Sequence, residues 1–204
     1  MIPTGVAVLA AGKSRRMGTP KLLLPWGQRT VIEHVVDQWK VQGAAQIALV
    51  CAPDDKRLAD ELDRIGIAPS HRILNRTPDG DMFSSIQSAA NWNGWKPSLA
   101  QWIVTLGDQP HLNAQTLRSL LDYGAAHAGK VCQPRQGGKR WHPVLLPKSI
   151  FEKLGGTPAT NLKEFLNRYS ADVVAFDSED PGLGLDLDTP ADYASLKEKF
   201  WPAG

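Results

Sequence analysis

Short apolar runs alternate with longer amphipathic segments through the first 128 residues. Four runs rich in branched apolar residues, bounded by Gly, Pro or polar clusters, predict strands at 5–10, 46–51, 72–74 and 101–106. Apolar positions at helical spacing predict four helices at 31–41, 56–65, 82–92 and 114–126. Strands that alternate with helices in this way are typical of an α/β fold with a mainly parallel central sheet and helices on both faces.

The regular alternation of strands and helices ends after Gly129, but no Ser/Gly-rich linker or internal repeat marks a domain boundary there. The remaining residues predict three more strands, at 130–133, 143–146 and 172–176. They also predict helices at 148–154, 160–169 and 190–200, the last with a proline in its first turn. We therefore predict one α/β domain whose C-terminal half adds a substrate-side lobe.

The composition is that of a globular chain with a sizeable core. Of 204 residues, 42% are hydrophobic, and Lys plus Arg (23) nearly balance Asp plus Glu (21). The small net charge removes the broad basic field of a duplex-binding protein, so no nucleic-acid partner is expected. The apolar stretch 1–11 is too short for a bilayer, and we expect no leader or membrane anchor. Cys51 and Cys132, far apart in apolar surroundings, favour a reduced, cytoplasmic location over a disulfide framework.

The loop that follows the first strand, residues 9–21, carries the strongest chemical signal. Its small residues let backbone N–H groups approach a phosphate, while Arg15, Arg16 and Lys21 bring three cations to the sheet's carboxyl edge. Neither G-x-G-x-x-G nor G-x-x-x-x-G-K-[ST] is present, which argues against a nicotinamide site and a Walker loop. A solvated basic turn is the alternative, and it is disfavoured because charge after a buried strand is costly to desolvate without purpose.

Two acidic clusters could hold a metal ion. Asp108 follows the strand at 101–106 beside Gly107, a position that suits Mg²⁺ bridging to phosphates, although a plain turn is the alternative. Asp186 and Asp188 share one face if the chain is extended there, and two such carboxylates can complete a metal shell. Asp188 or Thr189 could instead cap the following helix. We favour Asp186 as second ligand because Asp188 is better placed to cap.

Two further segments offer ligand contacts. Gly80, Ser84 and Ser85 lie at the start of a predicted helix, where they would either bind a base or ribose or only cap the helix. Arg140 and His142 follow a flexible Gly-rich basic loop that could close on an anionic substrate. A lone His is more often a packing residue than a catalytic one, so His142 is not assigned as a general base.

Together these segments resemble the nucleotidyltransferase family that includes the molybdenum cofactor cytidylyltransferases. The resemblance extends more loosely to the guanylyltransferases of that cofactor and to sugar-phosphate nucleotidyltransferases. It covers essentially the whole chain and rests on five segments in order: 9–18, 21–25, 107–110, 142–144 and 186–192. It implies a single Rossmann-like nucleotidyltransferase domain over 1–204, with a nucleotide-binding half at about 1–128 and an acceptor-side half with a closing helix at about 129–204.

The resemblance also implies the chemistry. A substrate phosphate attacks the α-phosphorus of a nucleoside triphosphate and pyrophosphate leaves, so catalysis consists of positioning and charge stabilisation, with no nucleophilic side chain. Arg16 and Lys21 would stabilise the triphosphate charge, Asp108 would hold Mg²⁺, and Asp186 would complete the metal shell. The implied nucleotide-binding residues are Leu9, Ala10, Ala11, Gly12, Lys13, Ser14, Arg15, Lys21, Gly80, Ser84, Ser85, Gly107 and Asp108.

Substrate choice is implied by smaller differences within the family. The sequence Ala-Ala-Gly at 10–12 looks like the cytidylyl branch, where the guanylyl branch usually has Ala-Gly-Gly, and Gln109 points the same way. CTP is therefore the expected nucleotide and a phosphorylated pterin such as molybdopterin the expected acceptor, with a molybdoenzyme or its chaperone as partner. Gln109, Arg140 and His142 would contact the acceptor. Asp81 occupies the position before Met82 at which the family usually has a glycine, and this difference affects the contacts expected with the base.

Two other functions remain open from the sequence. One is a nucleotidyltransferase that acts on a sugar phosphate or a polyol phosphate, since the acceptor side is where such enzymes vary. The other is a non-catalytic accessory protein that binds a nucleotide or cofactor without turnover. The charged set of Arg16, Lys21 and Asp108 is intact, which favours an enzyme.

Overall fold

A mainly parallel sheet lies at the centre of the computed structural model, which describes residues 2–77 and 81–200. The strands are β1 (Thr4–Leu9), β2 (Pro25–Trp26), β3 (Arg29–Thr30), β4 (Gln46–Cys51), β5 (Arg72–Leu74), β6 (Gln101–Leu106), β7 (Val131–Gln136), β8 (Lys139–Arg140), β9 (Val144–Pro147) and β10 (Val173–Asp177). The α-helices are α1 (Val31–Val41), α2 (Lys56–Arg64), α3 (Met82–Ala90), α4 (Ala114–Ala126), α5 (Lys148–Phe151), α6 (Leu162–Asn167) and α7 (Pro190–Phe200).

The strand order β10-β7-β9-β6-β1-β4-β5 places β1 between two parallel neighbours. Strand β9 runs antiparallel to both β6 and β7, β10 is parallel to β7, and the short β8 pairs with the outer end of β7. The predicted α/β fold with a mainly parallel sheet is confirmed. Because β1, β4 and β6 run in the same direction, the loops that follow them all emerge at one edge.

Helices cover both faces of the sheet. Alternate residues of β1 point to opposite sides, so Val6 and Val8 pack with α1 and α4 while Ala7 packs with α3, α5 and α6. Trp39 of α1 and Phe151 of α5 are among the largest fully buried side chains. Burial on both faces explains why these strands are continuous apolar runs in the sequence.

Several predicted boundaries differ from the observed ones. Helix α3 ends at Ala90, before residue 92, and the helix predicted at 148–154 divides into α5 and a 3₁₀ turn at Glu152–Gly156. Helix α6 is shorter than the predicted 160–169 because Asn161 caps it by accepting from the Glu164 N–H. The two-residue strands β2, β3 and β8 are too short for a period-2 pattern to reveal them.

Two general features concern the chain as a whole. Across residues 2–77 and 81–200, no helix combines the length and the apolar character needed to cross a membrane. Both cysteines, Cys51 and Cys132, are free and buried.

Gly107 lies where β1 and β6 converge at the carboxyl edge of the sheet. Its N–H donates to the Leu9 carbonyl at 2.9 Å, and a Cβ at this position would lie 2.9 Å from the same oxygen and 3.3 Å from Cδ1 of Ile32. A side chain at residue 107 would therefore push the two strand ends apart.

We expect Gly107→Ala to lower the free energy of unfolding by about 1–3 kcal/mol, because backbone and packed side chains must move to admit the methyl group. Urea unfolding measures this difference. Gly156→Ala is the matched control, since Gly156 is exposed and a Cβ there meets nothing within 4 Å. Equal stability of the two variants would contradict the close approach at Gly107.

Candidate active site

A cleft of about 360 Å³ opens at the carboxyl edge of the sheet. Its walls come from the loop after β1, the start of α3, the end of β6 and the segment before α7. This is the edge at which ligands of open α/β sheets bind. The lining residues are Leu9, Ala10, Ala11, Gly12, Arg16, Lys21, Leu22, Asp81, Met82, Ser85, Leu106, Asp108, Asp186 and Asp188.

The loop after β1 folds back on Ser14, whose φ of +48° lies in the left-handed region. The Ser14 carbonyl accepts from the N–H groups of Met17 and Gly18, and its Oγ accepts from the Lys21 N–H at 3.1 Å. Met17 is buried and anchors the loop to the core. The loop therefore has a defined path from the sheet edge to Lys21, and Ser14 shapes it from outside the cleft lining.

Opposite charges from three distant segments meet in the cleft. The Lys21 ammonium contacts the carboxylate of Asp108 and lies 2.8 Å from Oδ1 of Asp188. The second oxygen of Asp188 accepts from the Arg16 guanidinium at 2.6 Å. The Lys21 side chain is only 12% exposed, whereas that of Arg16 is 72% exposed. Salt bridges thus connect the loop after β1 with the end of β6 and with the segment before α7.

The environment of this cluster shifts two pKa values. Burial alone would lower the pKa of Lys21, but the adjacent carboxylates of Asp108 and Asp188 outweigh burial, and the pKa is raised above its usual value. Burial raises the pKa of Asp186, and the negative charges of Asp188 and Asp108 raise it further. The cleft therefore holds Lys21 as a cation and concentrates negative charge beside it.

The expectation that Asp188 caps the following helix is wrong. Thr189 is the capping residue: its Oγ1 accepts from the Asp192 N–H at 3.2 Å, and the Asp192 carboxylate accepts from the Thr189 N–H at 2.8 Å. This reciprocal arrangement leaves Asp188 to face Lys21 and Arg16. Asp186 and Asp188 both line the cleft.

The start of α3 contributes a polar wall. Ser85 lines the cleft, and the Asn75 amide donates to the hydroxyls of Ser84 and Ser85 at 2.9 and 3.0 Å. The helix is capped by Asp81, whose carboxylate accepts from the Ser84 N–H at 2.9 Å, so neither serine is needed as the cap. Asn75 was not identified from the sequence. Gly80 lies outside the described residues.

Several predicted contact residues do not line the cleft. Lys13 and Arg15 are exposed on the loop after β1, and Gln109 is buried outside the cleft lining. Gly107 supports the sheet edge through its bond to Leu9. The ligand contacts assigned to these four residues stay predictions.

The other two residues predicted to contact the acceptor, Arg140 and His142, also lie outside the cleft lining. Arg140 is exposed on β8, and Nδ1 of His142 lies 3.4 Å from the Val104 carbonyl on β6. Burial lowers the pKa of His142, which favours a neutral ring and a packing role in this state. Their contacts with an acceptor stay predictions.

Leu22, Met82 and Leu106 add to the apolar part of the cleft, and sequence reasoning missed them. No chemical signal marks such residues, because an apolar side chain at a site looks the same in sequence as one in the core. Within the described residues, no group of three or more His, Cys, Asp or Glu side chains forms a ready set of metal ligands.

An open α/β sheet with a cationic loop and carboxylates at its carboxyl edge defines a nucleotide-binding type of domain. The chain belongs to the MobA-like NTP transferase domain family, whose profile matches residues 6–173. It is therefore a member of a nucleotidyltransferase family, as its motifs predicted.

Three relatives match nearly the full length. The molybdenum cofactor cytidylyltransferase of Escherichia coli K12 is 26% identical, over 95% of each chain. A nicotine blue oxidoreductase of Paenarthrobacter nicotinovorans is 27% identical, over 91% of this chain and 92% of its own. A probable molybdenum cofactor guanylyltransferase of Carboxydothermus hydrogenoformans is 28% identical, over 96% and 95%.

Among solved structures, Rv0371c from Mycobacterium tuberculosis H37Rv, in complex with manganese, is 25% identical and superposes with a TM-score of 0.69. The match covers 97% of this chain and 98% of that chain. The relatives therefore include proteins named for different reactions, and the reaction of this chain has to be argued from its own site.

We expect Asp188→Asn to lower the pKa of Lys21, because it removes one of the two carboxylates that raise this pKa. More of the lysine is then a free amine at pH 8, and Lys21 should react faster with acetic anhydride. Mass spectrometry of digested protein measures its acetylation. Asp172→Asn, which removes the partner of Lys130 instead, should leave the Lys21 rate unchanged. Equal Lys21 rates in wild type and Asp188→Asn would contradict the pairing.

Proposed function

We propose that this chain transfers CMP from CTP to a phosphorylated pterin of the molybdopterin type, with release of pyrophosphate and with Mg²⁺ as cofactor. The observation that carries the proposal is the meeting of Lys21 and Arg16 with Asp108, Asp186 and Asp188 in a cleft walled by the loop after β1. Fixed charges of both signs beside a phosphate-binding loop are what phosphoryl transfer without a covalent intermediate requires.

Lys21 and Arg16 are the groups that would bind the triphosphate. Lys21 is held between two carboxylates on a loop anchored at Ser14, so its ammonium is positioned before a ligand arrives. Arg16 is largely exposed at the rim of the cleft, where it can follow the leaving pyrophosphate. Stabilisation of the charge that builds on the departing phosphates is the main catalytic contribution of such residues.

The carboxylates fit a magnesium ion. Mg²⁺ is usually bound by one or two carboxylates together with substrate phosphates, so it does not require a complete protein cage. Asp108 and Asp186 would supply the hard oxygen donors, and the negative charges of Asp188 and Asp108, which together with burial raise the pKa of Asp186, support a cation at this position. When bound, the ion would neutralise phosphate charge as a Lewis acid. The manganese complex of the mycobacterial relative supports a divalent cation.

The nucleotide and acceptor are argued from smaller features. Ala11 lines the cleft within the Ala-Ala-Gly segment that resembles the cytidylyl branch, and the Escherichia coli relative carries that activity in its name. The guanylyltransferase relative makes GTP the competing nucleotide. For the acceptor, Gln109, Arg140 and His142 remain the proposed contacts, and a molybdoenzyme or its chaperone would receive the product.

The proposed reaction is tested by pyrophosphate release. Purified protein with Mg²⁺ and molybdopterin should release pyrophosphate fastest with CTP when the four nucleoside triphosphates are compared. Asp108→Asn is the matched control, since it keeps the shape of the side chain but loses the charge that would hold a hard cation. It should fold normally and lose most of the activity.

If none of the four nucleoside triphosphates gives pyrophosphate release, the proposed enzyme is refuted and a binding protein is favoured. Release with a sugar phosphate or polyol phosphate, but not with molybdopterin, would retain the reaction class and replace the acceptor. Undiminished turnover and metal affinity in Asp108→Asn would refute the metal role of Asp108.

Two variants separate phosphate binding from base choice. Lys21→Ala should lower kcat/KM for CTP and GTP by a similar factor, on the order of 10²–10³, because it removes one preorganised charge beside the triphosphate. Ala11→Gly leaves every charge in place but frees the backbone near the base, so it should raise the ratio of GTP to CTP activity. Steady-state kinetics with one acceptor measures both.

A nucleotide-selective loss in Lys21→Ala, with an unchanged ratio in Ala11→Gly, would contradict this division. Base choice would then be sought at the start of α3, where Asp81 and Ser85 line the cleft.

A further inference from the structure

The segment between β10 and α7 brings two carboxylates to the cleft without regular secondary structure of its own. We call residues 180–188 the acidic arm; it contains turns but no helix or strand. Asp186 and Asp188 lie near its C-terminal end and line the cleft. No ladder of backbone bonds fixes the arm: the buried side chains of Leu183 and Leu187 hold it to the core, and a few polar contacts fix the rest of its path.

The first of these contacts is a buried carboxylate at the start of the arm. Asp180 is 5% exposed, and its Oδ2 accepts from the Asn113 N–H at 2.8 Å and from the Thr116 hydroxyl at 2.7 Å. Its Oδ1 accepts from the Gly182 N–H at 2.8 Å. Asp180 therefore ties the arm to the first turn of α4. That helix follows the segment that carries Asp108.

Other contacts hold the middle of the arm. Nε2 of His111 lies 3.2 Å from the Leu185 carbonyl, within hydrogen-bond distance. The Trp141 ring packs so closely on Gly184, at φ +77°, that a Cβ there would lie 2.8 Å from the indole. The Gln136 amide donates to the Asp180 carbonyl at 2.9 Å. The arm is thus clamped between the segment after β6 and the hairpin of β7 and β8.

We infer that Asp180 is a positioning residue, which fixes the acidic arm so that Asp188 meets Lys21 and Asp186 faces the cleft. It lies outside the cleft lining and acts through the arm. Its catalytic consequence rests on the proposed function, whereas its effect on the arm does not. A buried carboxylate with three donors is costly to disturb, because an amide in its place cannot accept at both ends.

The test uses the reactivity of Lys21 and needs no nucleotide. In Asp180→Asn, one end of the side chain becomes a donor facing donors, the start of the arm loses its tie to α4, and Asp188 should shift away from Lys21. Acetylation of Lys21 by acetic anhydride, relative to exposed Lys163, should rise about threefold or more. The ratio in Asp188→Asn gives the effect of losing the Asp188 carboxylate alone. Circular dichroism and thermal unfolding establish that the variant is folded.

A milder variant and a control complete the design. Thr116→Val keeps the shape of residue 116 and removes one hydrogen-bond donor to Asp180. Lys21 reactivity should rise less than in Asp180→Asn, by about 1.5- to 2-fold. Because Thr116 does not line the cleft, this substitution can affect Lys21 only through the arm. Asp177→Asn removes an exposed carboxylate that pairs with Arg135, and it should leave the ratio unchanged.

A folded Asp180→Asn protein with the wild-type Lys21 ratio would overturn the inference. If Asp180→Asn does not fold, Thr116→Val decides: a raised ratio supports the inference and an unchanged ratio overturns it. In turnover, Asp180→Asn should lower kcat about 10- to 100-fold and change KM for CTP less than about threefold, since both cations of the loop after β1 are retained. Absence of turnover in the wild type would refute the proposed function, while the Lys21 ratio would still decide the role of Asp180.

Discussion

The ion pairs between Lys21 and the carboxylates of Asp108 and Asp188 are the interaction on which the site depends. A largely buried ammonium is costly unless it is paired, and these partners come from segments 87 and 167 residues away in sequence. The cluster can form only when the loop after β1, the end of β6 and the acidic arm are all in place. The site is therefore a direct consequence of the complete fold.

Backbone geometry of the sheet positions two of these three segments, the loop after β1 and the end of β6. Strands β1 and β6 are neighbours in parallel register from Thr4 to Leu9, so the residues that follow them emerge side by side. Gly107 lets the two strand ends approach, because its N–H reaches the Leu9 carbonyl with no side chain between them. The reversed strand β9 runs back to the opposite edge, and β10, which is parallel to β7, then returns the chain to the carboxyl edge, where the acidic arm follows.

The local geometry of the sheet could be predicted from the sequence, whereas contacts between distant segments could not. Parallel strands, amphipathic helices and the cationic loop follow local patterns, and most of these elements were placed within a few residues. Lys21, Arg16 and Asp108 were found because charge next to a buried strand is conspicuous. Asp180 and Asn75 were missed because their roles depend on contacts with residues that no local pattern connects. Asp188 was expected to be the cap because a carboxylate just before a helix suits that role as well as an ion pair, and the sequence does not distinguish the two.

Charge balance in the cleft bears on how ligands would bind. The lining of the cleft has two cationic side chains, Arg16 and Lys21, and more carboxylates than cations, namely Asp81, Asp108, Asp186 and Asp188. A triphosphate that entered alone would add several more negative charges and would compete with Asp108 and Asp188 for Lys21. Under the proposed function, Asp108 and Asp186 would hold a divalent cation, which would supply positive charge to offset that of the phosphates. Under the proposed function, a nucleotide that carries a divalent cation would therefore suit the charge of this cleft better than a free triphosphate.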